Sequence, residues 1–145
     1  MKRFVLGFMF NESLTRLVAI RKNRPAWQKW ALNGVGGHIA VVEKPIEAMV
    51  RKFREETGVK TQPHEWRHVL TLRFTYAEVE VFAANCDDFY NRAKTKTDEE
   101  IVKVHIGSRT YYKMIENLPM LIDLSTQRLA ARGGVAPKDW QAMPG

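Results

Sequence analysis

Alternating apolar and polar stretches along the chain predict both strands and helices. Residues 4–10 are rich in apolar and aromatic side chains and predict a first strand, and residues 14–21 predict a second. A turn signal at residues 11–13 separates them, so we expect the two strands to form a hairpin. β-branched and aromatic residues predict further strands at residues 66–74, 76–84 and 101–106.

Helical spacing is clearest after Pro45, a residue that suits the first position of a helix because it lacks an N–H group. A buried stripe is expected from residues that recur at helical spacing, namely Ile46, Met49, Val50 and Phe53. Gly58 is the candidate for the helix C-cap. Further helices are predicted at residues 87–94 and 118–131, with a polar loop at residues 95–98. The mixture of strands and helices indicates an α/β or α+β class.

The length of 145 residues predicts one domain over residues 1–131, followed by a loose tail at residues 132–145. No apolar run reaches the roughly 20 residues that span a bilayer, so no membrane partner is expected. The short apolar start lacks a clear signal-peptide cleavage site. Cys86 is the single cysteine and cannot form an internal disulfide, which makes the cytoplasm the expected location.

The formal net charge of +7 favours anionic partners such as nucleotides or nucleic acid. The positive residues are dispersed along the chain, and no RNA-binding motif, zinc spacing or long basic tail accompanies them. Nucleic-acid binding therefore rests on charge alone and is not expected. Charge that serves only solubility is the plain alternative.

The most informative stretch is residues 37–59. It resembles the Nudix box, the pattern G-x5-E-x7-R-E-U-x-E-E-x-G-U in which U is a bulky aliphatic residue. The residues that match in register are Gly37, Glu43, Arg51, Glu55, Glu56, Gly58 and Val59. Phe53 is an apolar substitute at the first U position. Positions 52, 55 and 56 share one helix face, because they are separated by three and four residues.

The resemblance implies a Nudix-type α/β/α sandwich with a mixed sheet. It also implies a hydrolase that uses Mg²⁺ or Mn²⁺ to cleave the diphosphate linkage of a nucleoside diphosphate derivative. The implied metal site contains Glu55, Glu56, Gly37 and a glutamate of a later acidic loop. Glu100 is the first candidate for that glutamate and Glu99 the second. In the family the arginine corresponding to Arg51 holds the box glutamates in place.

Two departures from the family pattern leave an alternative open. Lys52 stands where the family has a glutamate, and its ammonium is expected to pair with Glu56 and repel a cation. The alternative is therefore a catalytically impaired, nucleotide-binding module. Residues 40–42 replace the polar, glycine-containing turn usual in the family, so the preceding strand is expected to run further, with its turn at residues 43–45.

Substrate contacts are less specific in the sequence. Trp27 and Trp30 have flat faces that stack on a nucleobase, although a tryptophan is more often part of the core. Arg21, Lys22 and Arg24 are candidates for phosphate contact, and so is His38, for which a simple loop histidine is the alternative. Gly37 permits close approach of another group to the backbone. The predicted partner is a nucleotide, and a homodimer is left open.

Overall fold

The computed structural model describes residues 1–131, and a mixed sheet forms the centre of this part of the chain. Its strands are β1 (Lys2–Phe10), β2 (Arg16–Arg21), β3 (Leu32–Asn33), β4 (Val35–His38), β5 (Arg67–Arg73), β6 (Ala77–Asn85) and β7 (Glu100–His105). The α-helices are α1 (Pro45–Thr57), α2 (Asp87–Arg92) and α3 (Leu118–Ala130). Short 3-10 helices occupy Ala26–Gln28, Pro63–Glu65 and Ile106–Tyr111.

Strand β1 lies at the middle of the sheet. The strand order is β3-β2-β1-β6-β5, with β4 also paired to β1 and β7 to β2. β1 runs parallel to β6 along its whole length, from Lys2 opposite Ala77 to Phe10 opposite Asn85. It runs antiparallel to β2 and β4. This confirms the predicted hairpin and the mixed sheet.

Both faces of the sheet are covered by helices. Successive side chains of a strand point to opposite faces, and in β1 the side chains of Val5 and Met9 join a core cluster with residues of α1. Phe8 and Phe10 join a second cluster with residues of α3. The arrangement is an α/β/α sandwich, and the predicted α/β (α+β) fold class is confirmed.

Helix α1 carries most of the box and begins and ends where the sequence predicts. Pro45 is its first residue, and Gly58 caps it with a left-handed φ of 78° and an N–H bond to the Arg54 carbonyl. Met49 and Phe53 are fully buried, and Phe53 packs edge-to-face on Trp66 with ring centroids 5.3 Å apart. The buried stripe fixes which face of α1 is left to carry charged side chains.

The loop before α1 differs from the prediction. β4 ends at His38 instead of running on, and the Glu43 N–H bonds to the Ala40 carbonyl at 3.0 Å, which closes a turn over residues 40–43. Val41 and Val42 are almost completely exposed, so no apolar surface draws this segment into the sheet. The expected strand extension and the turn at residues 43–45 are therefore wrong.

The start of β2 and the structure of the glycine-rich segment also depend on contacts that the sequence pattern does not reveal. β2 begins at Arg16 rather than residue 14, because Leu14 takes a left-handed φ of 60° and the Asn11 side chain accepts the N–H groups of Thr15 and Arg16. The glycine-rich segment forms β3 and β4, and a Cβ on Gly36 would collide with the backbone of β1.

The remaining predicted elements are confirmed within one or two residues, as α2, α3, β5, β6 and β7. Across residues 1–131, no helix has both the length and the apolar character that crossing a membrane requires. The predicted tail at residues 132–145 lies outside the described residues, so the domain boundary stays a prediction.

Candidate active site

Arg51 organises the charged face of α1. Its Nε donates to Glu43 Oε2 at 2.7 Å and its Nη2 to Glu43 Oε1 at 2.8 Å, which makes a bidentate pair. Nη1 donates to Glu55 Oε1 at 3.1 Å, and Nη2 also reaches the His38 carbonyl at 3.0 Å. One guanidinium therefore joins the helix, the loop before it and the end of β4. Arg51 therefore contacts both Glu43 and Glu55, the box glutamates that the resemblance implies it holds.

These contacts keep the carboxylates ionised. The hydrogen bond from Arg51 lowers the pKa of Glu43 to about 2, against an opposing effect of burial. The same bond raises the pKa of Arg51 above its ordinary value. For Glu55, burial acts to raise the pKa, but hydrogen bonds from Lys52 and then Arg51 outweigh it, and the pKa lies below its ordinary value.

Lys52 lies between β4 and the carboxylates of Glu55 and Glu56. Its Nζ is 3.1 Å from Glu55 Oε2 and 4.0 Å from Glu56 Oε1. Its methylene chain fills the space beside Gly37, where a Cβ would collide with it. The expected Lys52–Glu56 pair is present, and a closer pair with Glu55 accompanies it.

A cavity of about 370 Å³ opens beside this network. Its polar end is defined by Lys22, Gly36, Gly37, Glu56 and Glu99. Its apolar wall comes from strands β1, β5 and β6 and the loop after β5, and contains Phe4, Leu6, Leu72, Phe74 and Val79. The segment at the start of α3 closes it with Ile115, Glu116, Asn117, Leu118 and Leu121.

Two glutamates bring carboxylates to the polar end. Glu56 Oε2 accepts the Thr97 hydroxyl at 2.6 Å, which connects α1 to the loop before β7. Glu99 Oε1 is 3.4 Å from the Lys22 ammonium. Glu99 Oε2 is buried and has no hydrogen-bond partner within the described part of the chain. An ionised oxygen in that state is costly unless a cation or water reaches it.

Glu100 is placed elsewhere. It begins β7, is 58% exposed and lies 3.7 Å from Arg21 Nη1, outside the residues that line the cavity. Glu99 is the residue directly before β7, and of the Glu99–Glu100 pair only Glu99 lines the cavity. The structure places Glu99 there, the second candidate from the sequence.

Of the predicted substrate contacts, Gly37 and Lys22 line the cavity, and the other five do not. Trp27 and Trp30 are 73% and 64% exposed, and neither lines it. Arg24 pairs with Asp98 at 3.0 Å. The His38 ring packs on Phe4 with centroids 4.4 Å apart, and only its carbonyl enters the Arg51 network.

Sequence reasoning missed most of the cavity wall. Phe4, Leu6, Leu72 and Val79 read as ordinary strand residues, and Asn117 as a residue before a helix. The one available signal was the alternation of β1, which supplies apolar side chains to both faces. Strand pairing builds the wall by placing Val79 opposite both Phe4 and Leu72. These residues are far apart in the sequence, so a local pattern does not reveal the pairing.

The residues at the polar end fit a Mg²⁺ or Mn²⁺ ion in part. Carboxylate oxygens are suitable donors, and Glu56 and Glu99 both line the cavity, the latter with an unpaired oxygen. Within residues 1–131, no group of three or more His, Cys, Asp or Glu side chains is arranged around a metal position. Mg²⁺ is commonly held by one or two carboxylates together with substrate phosphates, and these two glutamates can supply that number.

Comparison with known proteins identifies the family. The family model of the NUDIX domain matches residues 2–110 of the sequence, from β1 to the 3-10 helix after β7. The chain therefore belongs to the NUDIX family, as the box residues predicted. No curated protein sequence matches the chain significantly.

Solved structures agree at the level of the fold. The NUDIX domain of Shewanella oneidensis NrtR, complexed with ADP ribose, is 14% identical with a TM-score of 0.73, over 88% of this chain and 87% of that one. MutT from work on Aliivibrio salmonicida and Vibrio cholerae is 20% identical with a TM-score of 0.69, over 87% and 97%. The Escherichia coli ORF135 protein is 17% identical with a TM-score of 0.67, over 92% and 94%.

Proposed function

We propose that this chain hydrolyses the diphosphate linkage of a nucleoside diphosphate derivative at the polar end of the cavity. The observation that carries the proposal is that box residues Gly37 and Glu56 line the same cavity as the apolar wall. Its volume of about 370 Å³ is that of a small-molecule site. In this proposal the nucleoside lies against the apolar wall and its phosphates reach the polar end.

The charged groups have separate tasks. Arg51 keeps Glu43 and Glu55 ionised and holds their carboxylates in place. The Lys22 ammonium attracts the phosphates. Glu99 Oε2 is proposed to serve a divalent cation at the phosphates, because no donor among the described residues occupies it.

A divalent metal belongs to the proposed site. Mg²⁺ or Mn²⁺ bound by Glu56 and Glu99 would neutralise the charge of the phosphate oxygens. Gly37, Glu55 and Glu100 were also expected as ligands. Gly37 remains compatible with a ligand role because it lines the cavity. Glu100 is not carried forward, since its side chain pairs with Arg21.

The second candidate function is nucleotide binding with little turnover. Lys52 favours it, because its ammonium already contacts Glu55 and lies 4.0 Å from Glu56 Oε1. An apolar cavity with a charged end would still retain a nucleotide. The nucleotide partner is common to both candidates, and the cytoplasmic location and a homodimer stay predictions.

The test is a nucleotide panel with Mn²⁺, comprising deoxynucleoside triphosphates, oxidised nucleotides, ADP-ribose and dinucleoside polyphosphates. Wild type should cleave at least one of them. Glu56→Gln and Glu99→Gln should each lower the rate by at least about two orders of magnitude, as expected for groups that support charge neutralisation. Glu100→Gln is the matched control, one residue away and outside the cavity lining.

Full activity in a folded Glu56→Gln variant would exclude the proposed centre. A loss in Glu100→Gln as large as that in Glu99→Gln would show that the wrong glutamate has been placed at the reaction. Binding of a nucleotide without any turnover would favour the second candidate.

A further inference from the structure

Lys52 places a positive charge inside the carboxylate cluster of the box. Its side chain is only 20% exposed, and its methylenes pack beside Gly37, so the ammonium is held rather than free in solvent. It lies 3.1 Å from Glu55 Oε2. Because Arg51 already donates to Glu55 Oε1, both oxygens of Glu55 are bound to cations of the chain itself.

The charge balance of the cluster differs from that of a strongly acidic metal site. Its carboxylates are Glu43, Glu55, Glu56 and Glu99. Its cations are Lys22, Arg51 and Lys52. Four negative charges and three positive charges give the cluster a net charge of −1. A glutamate at position 52 would instead give five negative and two positive charges, a net charge of −3. The cations of the chain therefore cancel most of the negative potential that would attract a divalent ion to this cluster.

The oxygens that stay available are few. Glu56 Oε2 accepts the Thr97 hydroxyl, while Glu56 Oε1 has the Lys52 ammonium at 4.0 Å, beyond hydrogen-bond distance. Glu99 Oε2 has no partner in the described part of the chain. Both glutamates line the cavity, whereas Glu55 does not.

We propose that the Lys52 ammonium is a built-in cation that takes the place of a divalent ion at Glu55 and confines divalent binding to Glu56 and Glu99. The inference rests on the proposed function, because it concerns the metal of the same site. It predicts that the wild-type site binds one divalent ion where a site without the lysine would bind more, or would bind more tightly.

The experiment is a Mn²⁺ titration without nucleotide, with free Mn²⁺ measured by electron paramagnetic resonance. The variants are Lys52→Met, which keeps the chain length and removes the charge, and Lys52→Glu, which supplies a carboxylate. Lys60→Met is the control, at an exposed lysine outside the cavity lining. A unit charge near a ligand is worth several times RT even in a polar environment, so Lys52→Met should tighten binding at least about tenfold. Lys52→Glu should add a second Mn²⁺, and Lys60→Met should match wild type.

Glu55 supplies the second arm of the test. In wild type, Glu55→Gln should leave the number of bound Mn²⁺ ions unchanged, because both oxygens are already occupied by Arg51 and Lys52, and should only weaken the affinity through the loss of one nearby negative charge. In the Lys52→Glu background the same substitution should remove the added Mn²⁺. Equal stoichiometry and affinity in wild type, Lys52→Met and Lys52→Glu, all folded by circular dichroism, would overturn the proposal. So would a wild-type site that loses Mn²⁺ on Glu55→Gln.

The result is independent of turnover. Failure of the nucleotide panel with a positive Mn²⁺ result would reject hydrolysis and retain the built-in cation. Hydrolysis in wild type with no response of Mn²⁺ binding to Lys52 would retain the proposed function and reject the cation.

Discussion

The Glu43–Arg51 pair should make the stability of the protein depend on pH in a defined range. The pKa of Glu43 falls from 4.5 to about 2 in the folded state, chiefly through its hydrogen bond with Arg51. Each pKa unit corresponds to about 1.4 kcal/mol, which sets an upper limit of about 3 kcal/mol. Arg51 is 37% exposed, so solvent screening reduces the expected contribution to about 1–3 kcal/mol.

The sign follows from a folded-state pKa that lies below the unfolded one. The contribution is complete above pH 4.5 and disappears as the pH falls toward 2. Glu43→Gln should therefore lower the free energy of unfolding by about 1–3 kcal/mol at neutral pH, and its difference from wild type should shrink below pH 4.5. Urea denaturation at a series of pH values measures both quantities.

A double-mutant cycle provides the control. In an Arg51→Met background the partner of Glu43 is already lost, so adding Glu43→Gln should cost far less than it does in wild type. The reasoning is refuted if Glu43→Gln costs the same in both backgrounds. It is refuted equally if the difference from wild type stays constant from neutral pH to pH 3.

Three further outcomes test the packing and the cavity. Phe53→Ala should cost about 3–5 kcal/mol, because the side chain is fully buried; an unchanged thermal melt would mean that α1 faces the other way. Gly36→Ala should cost about 1–3 kcal/mol or more, since the new Cβ meets the β1 backbone, and a melt equal to wild type would contradict that contact. Phe74→Ala should weaken nucleotide binding by about tenfold or more, as loss of a stacking face predicts, whereas Trp27→Ala should leave the Kd unchanged because Trp27 does not line the cavity.

The helix and the box were predictable because both are local. Pro45 and Gly58 are three to four turns apart, and the apolar stripe between them fixes the buried face of α1. The pairing of Lys52 with Glu56 also followed from spacing alone. The family pattern then supplied the fold, since the same spacing is shared by chains whose other residues have diverged.

The cavity and the choice of Glu99 over Glu100 were not predictable, because they depend on contacts between distant segments. The register of β7 against β2 places Glu100 opposite Arg21, with which its side chain pairs, while Glu99 directly before the strand pairs with Lys22. Trp27 and Trp30 looked suited to a nucleobase by residue type, but their segment folds away from the wall that β1, β5 and β6 build. Residue type suggested the chemistry, while strand register decided which residues share the space.

The most direct test of the central claim is product analysis in oxygen-18 water, on a nucleotide that the wild-type protein consumes with Mn²⁺. Water should attack one phosphorus atom of the diphosphate. The bond between that phosphorus and the bridging oxygen should then break. One phosphate-bearing product should then carry the label, and Glu99→Gln should form that product at least about two orders of magnitude more slowly. Consumption of the nucleotide with no labelled phosphate, or with cleavage outside the diphosphate, would contradict the account.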